Sequence, residues 1–298
     1  MGRRLLLGPV MIAVLLLGLW LDERLDGAGT PEWLRPPLRD TWPPGVIIFA
    51  SVAMLACLAA GELAAILRDK GILASRRICT FAALLGVFVS TFVPADLVAV
   101  DAVAVVAMSA MAVLAVAILF FARYKTVEGI VAATGGALLA YVYLGLMFGF
   151  LVAIRREHSV WALLWVLMVT KACDIGAYFT GTAIGRHKLI PWLSPGKTWE
   201  GLAGGVALSC AAGAAGAGLL GVPWSQVGTI AIVAAVAGVL GLIGQGGDLL
   251  ESVLKRDAGV KDSGRSIPGF GGILDVIDSP LLVGPFAYWW LRWLDSMG

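Results

Sequence analysis

Long apolar segments alternate with short polar ones along the whole chain, and most are about as long as a membrane-spanning helix. An α-helix needs ~20 mostly apolar residues to cross a bilayer core about 30 Å thick. The predicted spans are 5–21, 46–67, 78–93, 102–121, 130–154, 160–178, 202–220, one that starts near Val227, and 280–294. The pattern therefore predicts an all-α polytopic integral membrane protein with about nine transmembrane helices, with a break at Gly135-Gly136 in the fifth.

Two polar regions interrupt this pattern, and both lie in the second part of the chain. Residues 1–125 hold four predicted N-terminal spans, whereas residues 126–298 hold five spans and polar motifs at 171–201 and 244–279. Charge near a bilayer is costly, so a dense polar cluster in such a chain indicates function. We predict that the C-terminal region is catalytic and that its polar cluster lies at the cytoplasmic helix ends.

Composition and charge narrow the class of protein further. The chain is 59% hydrophobic and 14% charged, with a mean hydropathy of +0.90, which excludes a soluble domain. A net charge of +2 is too small to favour a nucleic-acid partner. The positive-inside rule places Arg3-Arg4 and the loops at 68–77, 123–125, 186–197 and 255–265 in the cytoplasm, with Arg155-Arg156 as the one exception. We expect a multi-pass protein of the inner membrane.

The first part of the 244–279 stretch has helical spacing. Asp248, Glu251, Ser252 and Lys255 are spaced i, i+3, i+4 and i+7, so they share one face of a helix that continues the eighth span. Gly246-Gly247, just before this face, predicts a close approach of another segment. Two carboxylates and an ammonium therefore point the same way.

The second part of the stretch is rich in glycine and then acidic. Gly271 and Gly272 belong to a segment whose backbone N–H groups are suited to cradle phosphate oxygens. Asp275 and Asp278 follow one turn apart, at the entrance to the ninth span. Carboxylates beside cations and a glycine loop favour a metal–phosphate site, and the alternative is a solvated loop held by salt bridges.

The sixth span carries charges within its apolar sequence. Lys171 and Asp174 lie one turn apart, and they either neutralise each other or belong to the site. Glu62, near the end of the second span, is interpreted as an acid at the membrane interface, with a buried pairing to Lys171 as the alternative.

A hydroxyl-rich motif precedes the seventh span. Ser194, Lys197, Thr198 and Glu200 supply two hydroxyls, a cation and a carboxylate. These residues fit a phosphate-binding wall. Alternatively, Ser194 or Thr198 with Glu200 caps the helix that follows.

Together these motifs resemble a known family of lipid enzymes. The residues of Ser252–Asp278 that include Lys255-Arg256, Lys261-Asp262 and Gly271-Gly272-Ile273 resemble the signature of phosphatidate cytidylyltransferases, also called CDP-diacylglycerol synthases. The segments 174–179 and 194–201 resemble two further motifs of that family, in the same order. The chain departs at Phe270 and Val276, where the family pattern usually has His and Arg.

The resemblance implies Mg²⁺-dependent transfer of a cytidylyl group from CTP to phosphatidate in the bilayer, giving CDP-diacylglycerol and pyrophosphate. It implies metal ligands at Asp248, Asp275 and Asp278, with room for a second cation. The implied catalytic residues are Asp248, Lys255, Arg256, Lys261, Asp275 and Asp278. The implied substrate-binding residues are Asp174, Ser194, Lys197, Thr198, Glu200, Glu251, Ser252, Arg265, Gly271 and Gly272.

Other classes of function stay open at this point. A transporter would use Lys171, Asp174 and Glu62 as an ion path, but this leaves the 252–278 pattern unexplained. A non-catalytic relative that binds lipid phosphate is compatible with Phe270 and Val276, and a related enzyme acting on another lipid phosphate is the third alternative. The sequence also leaves open a homodimer and the choice between CTP and dCTP.

Overall fold

The computed structural model describes residues 2–30, 41–96, 99–125, 127–267, 269 and 271–296, and most of them are helical. The long helices are α1 (Gly2–Leu25), α2 (Val46–Asp69), α3 (Arg76–Asp96), α4 (Ala99–Ala122), α5 (Ile130–Leu139), α6 (Met147–Glu157), α7 (Val160–Ile184), α8 (Trp199–Ala215), α9 (Val227–Asp257) and α10 (Leu274–Asp295). A π-helical segment, Ala140–Leu146, joins α5 to α6, and a 3₁₀ turn, Ala217–Leu220, follows α8. Two short antiparallel strands, β1 (Lys188–Ile190) and β2 (Ser194–Thr198), form a hairpin between α7 and α8.

The helices confirm an all-α membrane protein, but not the predicted number of spans. Within the described residues, six helices are long and apolar enough to cross a bilayer: 46–69, 76–93, 100–122, 130–157, 160–184 and 227–257. The other three predicted spans correspond to α1, α8 and α10. Of these, α8 has only 17 residues, and α10 carries two aspartates in its first turns. Nine spans therefore remain a prediction.

Contacts between loops divide the bundle into two ends. Lys70, after α2, forms a salt bridge of 2.9 Å with Asp257 at the end of α9. Arg256 donates to the carbonyl of Leu193 in the β-hairpin at 3.5 Å. The loops after α2, α7 and α9 therefore meet at one end, which we call the site end. The opposite end, where α6 meets α7, is called the far end.

The two arginines that departed from the charge rule lie at the far end. Arg155 is buried and donates to Asp22 at 2.6 Å and to Asp26 at 3.0 Å. Arg156 donates to the carbonyl of Thr91 at 2.8 Å and lies over the ring of Phe92. Both arginines are engaged by partners close to them. They can therefore lie at the far end, where the positive-inside rule does not expect arginine.

The break in the fifth predicted span lies later than expected. Gly135 and Gly136 are regular parts of α5, and the irregular segment is the π helix at 140–146. A Cβ on Gly145 would lie 2.7 Å from the carbonyl oxygen of Ala83 and 2.7 Å from the Cα of Gly86. The prediction of a break at Gly135-Gly136 is therefore wrong, because the change in helix register occurs where α3 packs against the backbone.

Small residues bring α7, α8 and α9 together. A Cβ on Gly205 of α8 would lie 2.6 Å from the carbonyl oxygen of Cys173 on α7. The buried Ser209 hydroxyl contacts the carbonyl oxygens of Val169 at 2.9 Å and of Ala237 at 2.7 Å. This packing of three helices forms the frame of the site.

Candidate active site

A cavity of about 460 Å³ opens at the site end between α7, the hairpin, α8 and α9. Five residues predicted from the sequence line it: Asp174, Ser194, Lys197, Thr198 and Asp248. The remaining lining residues are Ala177, Tyr178, Gly181, Thr182, Leu189, Gly196, Gly201, Leu202 and Gln245. Two polar motifs far apart in the sequence therefore share one cavity wall.

The β-hairpin brings a cation to the α9 carboxylate. Lys197 lies on β2, and its Nζ is 3.1 Å from Oδ2 of Asp248 and 3.4 Å from the carbonyl oxygen of Gln245. Both charged side chains are partly exposed to the cavity, at 21% and 25%. Lys197 and Asp248 form an accessible ion pair that an incoming anion can rearrange.

The capping interpretation is confirmed for Thr198. Its hydroxyl accepts a hydrogen bond of 3.0 Å from the backbone N–H of Gly201, in the first turn of α8. Thr198 therefore both caps this helix and lines the cavity, whereas Ser194 lies half-buried in the cavity wall.

Glu200 points to the loop before the hairpin, and it is not among the residues that line the cavity. Its carboxylate accepts the backbone N–H groups of Arg186 and His187 and contacts the His187 ring at 2.5 Å. A hydrogen bond with its own backbone N–H, followed by those from His187 and Arg186, lowers the pKa of Glu200 to about 2. Its position indicates that it orders the 185–188 loop.

Two carboxylates meet where α9 crosses α10. The Ser279 hydroxyl donates to Asp248 and lies 3.4 Å from Oδ1 of Asp278. Gly247 permits the approach, because a Cβ there would lie 2.5 Å from the carbonyl oxygen of Asp278. The close packing predicted at Gly246-Gly247 is confirmed at Gly247. Two like charges this near each other favour a cation between them.

A second charge group lies deeper between the same helices. Nζ of Lys255 is 2.6 Å from both Glu251 Oε2 and Asp275 Oδ1. These three side chains are nearly enclosed, at 12%, 1% and 11% exposure. Lys255 is therefore engaged by two protein carboxylates, and the helical face predicted at 248–255 points toward α10.

The glycine loop, for which the sequence predicted a cradle for phosphate, binds protein carboxylates. The N–H of Gly271 bonds to the carbonyl of Ile267 at 3.1 Å, and that of Gly272 bonds to Asp275 Oδ2 at 2.7 Å. Gly271 has a φ of +102°, and a Cβ on Gly272 would lie 2.1 Å from the Ser263 hydroxyl. Glycine is required here by backbone conformation and by packing, and protein oxygens occupy these two N–H groups, so the phosphate contact stays a prediction.

The remaining predicted cations lie on the surface of the site end. Arg256, Lys261 and Arg265 are exposed, and Arg256 also donates to the carbonyl of Val260 at 3.1 Å. Ser252 is half-buried on α9. The three cations lie at the end of α9 and in the loop after it, where a water-borne anion can reach them.

Lys171 and Asp174 form the predicted pair, 3.1 Å apart. Asp174 also accepts a hydrogen bond of 2.8 Å from Gln245. Lys171 lies 3.4 Å from the carbonyl oxygen of Val276, four residues before Pro280. A proline has no N–H to donate to that carbonyl, so the ammonium satisfies a group that α10 leaves free.

The predicted alternative for Glu62, a buried pairing with Lys171, is wrong, and its place at the membrane interface stays a prediction. This acid is buried, and it does not pair with Lys171. Its two oxygens accept hydrogen bonds from Ser263, Ser266, Ile273 and Leu274. Glu62 therefore binds the glycine loop and the start of α10.

The predicted metal ligands separate into two groups. Asp248 and Asp278 share the Ser279 hydroxyl, whereas Asp275 is held by Lys255, Ser263 and Gly272. In the part of the chain that the structure describes, no three His, Cys, Asp or Glu side chains lie close enough to hold a metal ion by themselves. The pair of Asp248 and Asp278 is more open than the group around Asp275, because Asp248 also lines the cavity.

Three residues of the site were absent from the sequence prediction. Gln245 and Ser279 contact Asp174 and Asp248, respectively. Tyr143, on the π segment, has a buried hydroxyl with no hydrogen-bond partner in the described structure. Ser279 directly follows Asp278, so adjacency was a usable signal. The positions of Gln245 and Tyr143 depend on contacts between distant segments.

Phe270, one of the two departures from the family pattern, lies outside the described residues. Val276, the other, is a half-buried residue in the first turn of α10.

Comparison with known proteins identifies several bacterial relatives. A phosphatidate cytidylyltransferase of Bacillus subtilis is 36% identical over 159 residues, which is 53% of this chain and 58% of the relative. Those of Haemophilus influenzae and Helicobacter pylori are 41% and 38% identical, over 43% and 49% of this chain and 45% and 52% of their own lengths. The aligned part thus spans about half of each relative. A model of the cytidylyltransferase family matches residues 41–294, so this chain belongs to the cytidylyltransferase family.

Proposed function

We propose that this protein transfers the cytidylyl group of CTP to phosphatidate, giving CDP-diacylglycerol and pyrophosphate for phospholipid synthesis. The observation that carries the proposal is the cavity in which Lys197 of the hairpin meets Asp248 of α9, at the ends of apolar helices. Membership of the cytidylyltransferase family and the names of three relatives support the same reaction.

A site at helix ends suits one substrate in the membrane and one in water. The lipid headgroup reaches the cavity from the bilayer, and the nucleotide reaches it past the exposed cations Arg256, Lys261 and Arg265. Arginine and lysine attract and orient phosphate oxygens, so these three cations concentrate the triphosphate near the cavity. Lys197 then exchanges its contact with Asp248 for a phosphate oxygen.

The reaction itself is an in-line displacement at phosphorus. A phosphate oxygen of the lipid attacks the α-phosphorus of CTP and forms a new P–O–P link. The bond from that phosphorus to the β-bridging oxygen breaks, and its electron pair leaves with pyrophosphate. The second pKa of a phosphate monoester is near ~6, so the lipid is mostly a dianion at neutral pH and needs no general base. Positioning and charge stabilisation therefore carry the catalysis.

The site fits Mg²⁺, which is part of this proposal. Mg²⁺ is usually held by one or two carboxylates together with substrate phosphates and water. Asp248 and Asp278 provide two neighbouring carboxylates with Lys197 as their nearby cation, and they would hold the ion. When bound, it would neutralise phosphate charge. Lys255 holds the carboxylate of Asp275, so we assign Asp275 a positioning role at the start of α10 and not the role of a metal ligand. The second cation remains a prediction.

The deciding experiment is CTP-dependent conversion of phosphatidate by the purified protein in mixed micelles, with Mg²⁺ or with EDTA. We expect CDP-diacylglycerol and pyrophosphate in equal amounts with Mg²⁺ and neither product with EDTA. We also expect Phe270→His and Val276→Arg to change the rate by no more than about tenfold. An inert natural protein with an active double variant would instead favour the non-catalytic relative.

The orientation in the membrane belongs to the same proposal. We place the site end in the cytoplasm of the inner membrane, with α1, α8 and α10 completing nine spans. The clustering of the basic loops at the site end supports this placement. Cysteines introduced at Lys197 and Lys261 should react only after permeabilisation, and labelling from outside intact cells would contradict the orientation. A homodimer stays a prediction.

A further inference from the structure

A carboxylate from the N-terminal part of the chain holds the segment that leads into α10. Glu62 lies on α2 and is 8% exposed. Its hydrogen-bond partners are 201 to 212 residues away in the sequence, within residues 263–274. We call the described residues 263–267 and 271–273 the anchor loop. Lys70, directly after α2, holds the end of α9 through Asp257.

Each oxygen of Glu62 contacts one hydroxyl and one backbone N–H, and the Ser263 hydroxyl, which has a single hydrogen, also lies 2.8 Å from Asp275 Oδ2. Oε1 contacts the Ser266 hydroxyl at 2.5 Å and the N–H of Ile273 at 3.0 Å. Oε2 contacts the Ser263 hydroxyl at 3.2 Å and the N–H of Leu274 at 2.9 Å. A glutamine in either orientation would turn its NH₂ group toward an N–H donor that cannot rotate away. The site therefore requires a carboxylate.

The two N–H groups bound by Glu62 belong to the start of α10. The N-cap residue of α10 is Ile273, and its side chain makes no capping hydrogen bond. Glu62 supplies the missing cap from another helix, and its charge is favourable at a helix N-terminus. Asp275 and Asp278 project from the two turns that follow, so Glu62 fixes the position from which both carboxylates start.

The glycines of the anchor loop are shaped to this carboxylate. A Cβ on Gly264 would lie 2.7 Å from Glu62 Oε1, and one on Gly272 would lie 2.4 Å from Oε2. No larger residue at either position would leave the hydrogen bonds intact. The loop therefore closes around Glu62 as a buried anion.

We propose that Glu62 is a positioning residue for the cytidylyl transfer: it anchors the loop so that Asp278 faces Asp248 across Ser279. The expected effect on turnover rests on the proposed function. The anchoring of the loop rests on the hydrogen bonds of Glu62 alone. Loss of the anchor should therefore lower the rate of the chemical step more than the binding of CTP.

The test compares Glu62→Gln with Glu157→Gln, the loss of a half-buried carboxylate that accepts from Tyr288 at the far end. Two measurements are made on the full-length protein: kcat and KM for CTP, and the rate of tryptic cleavage after the exposed Lys261 and Arg265. For Glu62→Gln we expect kcat to fall about 100-fold, with KM within about threefold. Cleavage in or beside the anchor loop should be about tenfold faster. Glu157→Gln should leave both unchanged.

A second variant guards against failure to fold. Ser266→Ala removes one donor at an exposed position and should lower kcat by about threefold to tenfold, with faster cleavage. Unchanged cleavage in both variants would refute the anchor, and faster cleavage with unchanged kcat would refute its role in positioning. The cleavage assay does not depend on catalytic turnover, so it tests the anchor even if the native protein is inactive. An inactive native protein would refute the proposed function and not the anchor.

Discussion

Replacing Asp248 by asparagine should separate the activity of the site from the stability of the fold. The amide keeps the shape of the side chain and can still accept the Ser279 hydroxyl, but it carries no charge. If Asp248 serves a phosphate-bound cation together with Asp278, turnover should fall by at least about 1,000-fold, or about 4 kcal/mol in the barrier.

The free energy of unfolding should respond in the opposite direction. Two like charges 4 Å apart repel by about 4 kcal/mol at an effective dielectric constant of about 20, and proton sharing relieves part of this. The salt bridge to Lys197 is partly exposed, so its loss costs about 1 kcal/mol or less. Asp248→Asn should therefore be neutral or more stable by up to about 2 kcal/mol, which raises Tm by several degrees.

The assay is a thermal melt in detergent beside the CTP turnover measurement, each with Mg²⁺ and with EDTA. Asp257→Asn is the control, since it lies on the same helix and pairs with Lys70 on the surface. Mg²⁺ should raise Tm for the native protein and for the control, but much less for Asp248→Asn. A lowered Tm with near-normal turnover would show that Asp248 is a structural acid, and the reasoning from the carboxylate pair would be wrong.

Three further outcomes are expected. Tyr143→Phe should leave Tm unchanged or raise it slightly, because the hydroxyl is buried without a partner, and a fall of more than about 1 kcal/mol in stability would contradict this. The pKa of Glu200 is lower in the folded protein than in the unfolded chain, where it is about 4.5. The stabilisation by its carboxylate is therefore complete above pH 4.5 and is lost as the pH falls through about 2. The difference in Tm between the native protein and Glu200→Gln should shrink from pH 6 to pH 3. Lys171→Met combined with Asp174→Asn should melt higher than either single variant, because each single change leaves one charge unpaired within an apolar helix, and additive losses would exclude that pairing.

Local patterns were sufficient to predict the helices and the charged face of α9. The spacing of Asp248, Glu251 and Lys255 follows from one helical repeat, and α9 does continue through them to Asp257. Thr198 was predictable as a cap because capping depends on residues only three apart. Both of these features depend on neighbours in sequence, and for both the prediction and the structure agree.

Features that depend on distant segments were not predictable. Glu62 is one polar residue at the end of an apolar helix, and no local pattern reveals that its partners lie 201 to 212 residues later. The glycines at 271 and 272 suggested a phosphate loop because a flexible backbone suits many anions, and the anions bound there are Glu62 and Asp275. The glycine-rich sequence correctly indicated that this loop binds an anion, but the tertiary packing determines which anion it binds.

The long reach of Glu62 also has a consequence for how the protein is made. Ribosomes add about 5–20 residues each second, so the partners of this carboxylate emerge about 10–40 s after α2 itself. During that interval the nascent helix carries a lone acid near its end, at a cost of up to about 3 kcal/mol if it lies within the bilayer. A chain that stops before residue 263 never satisfies it. The contact that orders the finished site can thus form only after translation has passed residue 274.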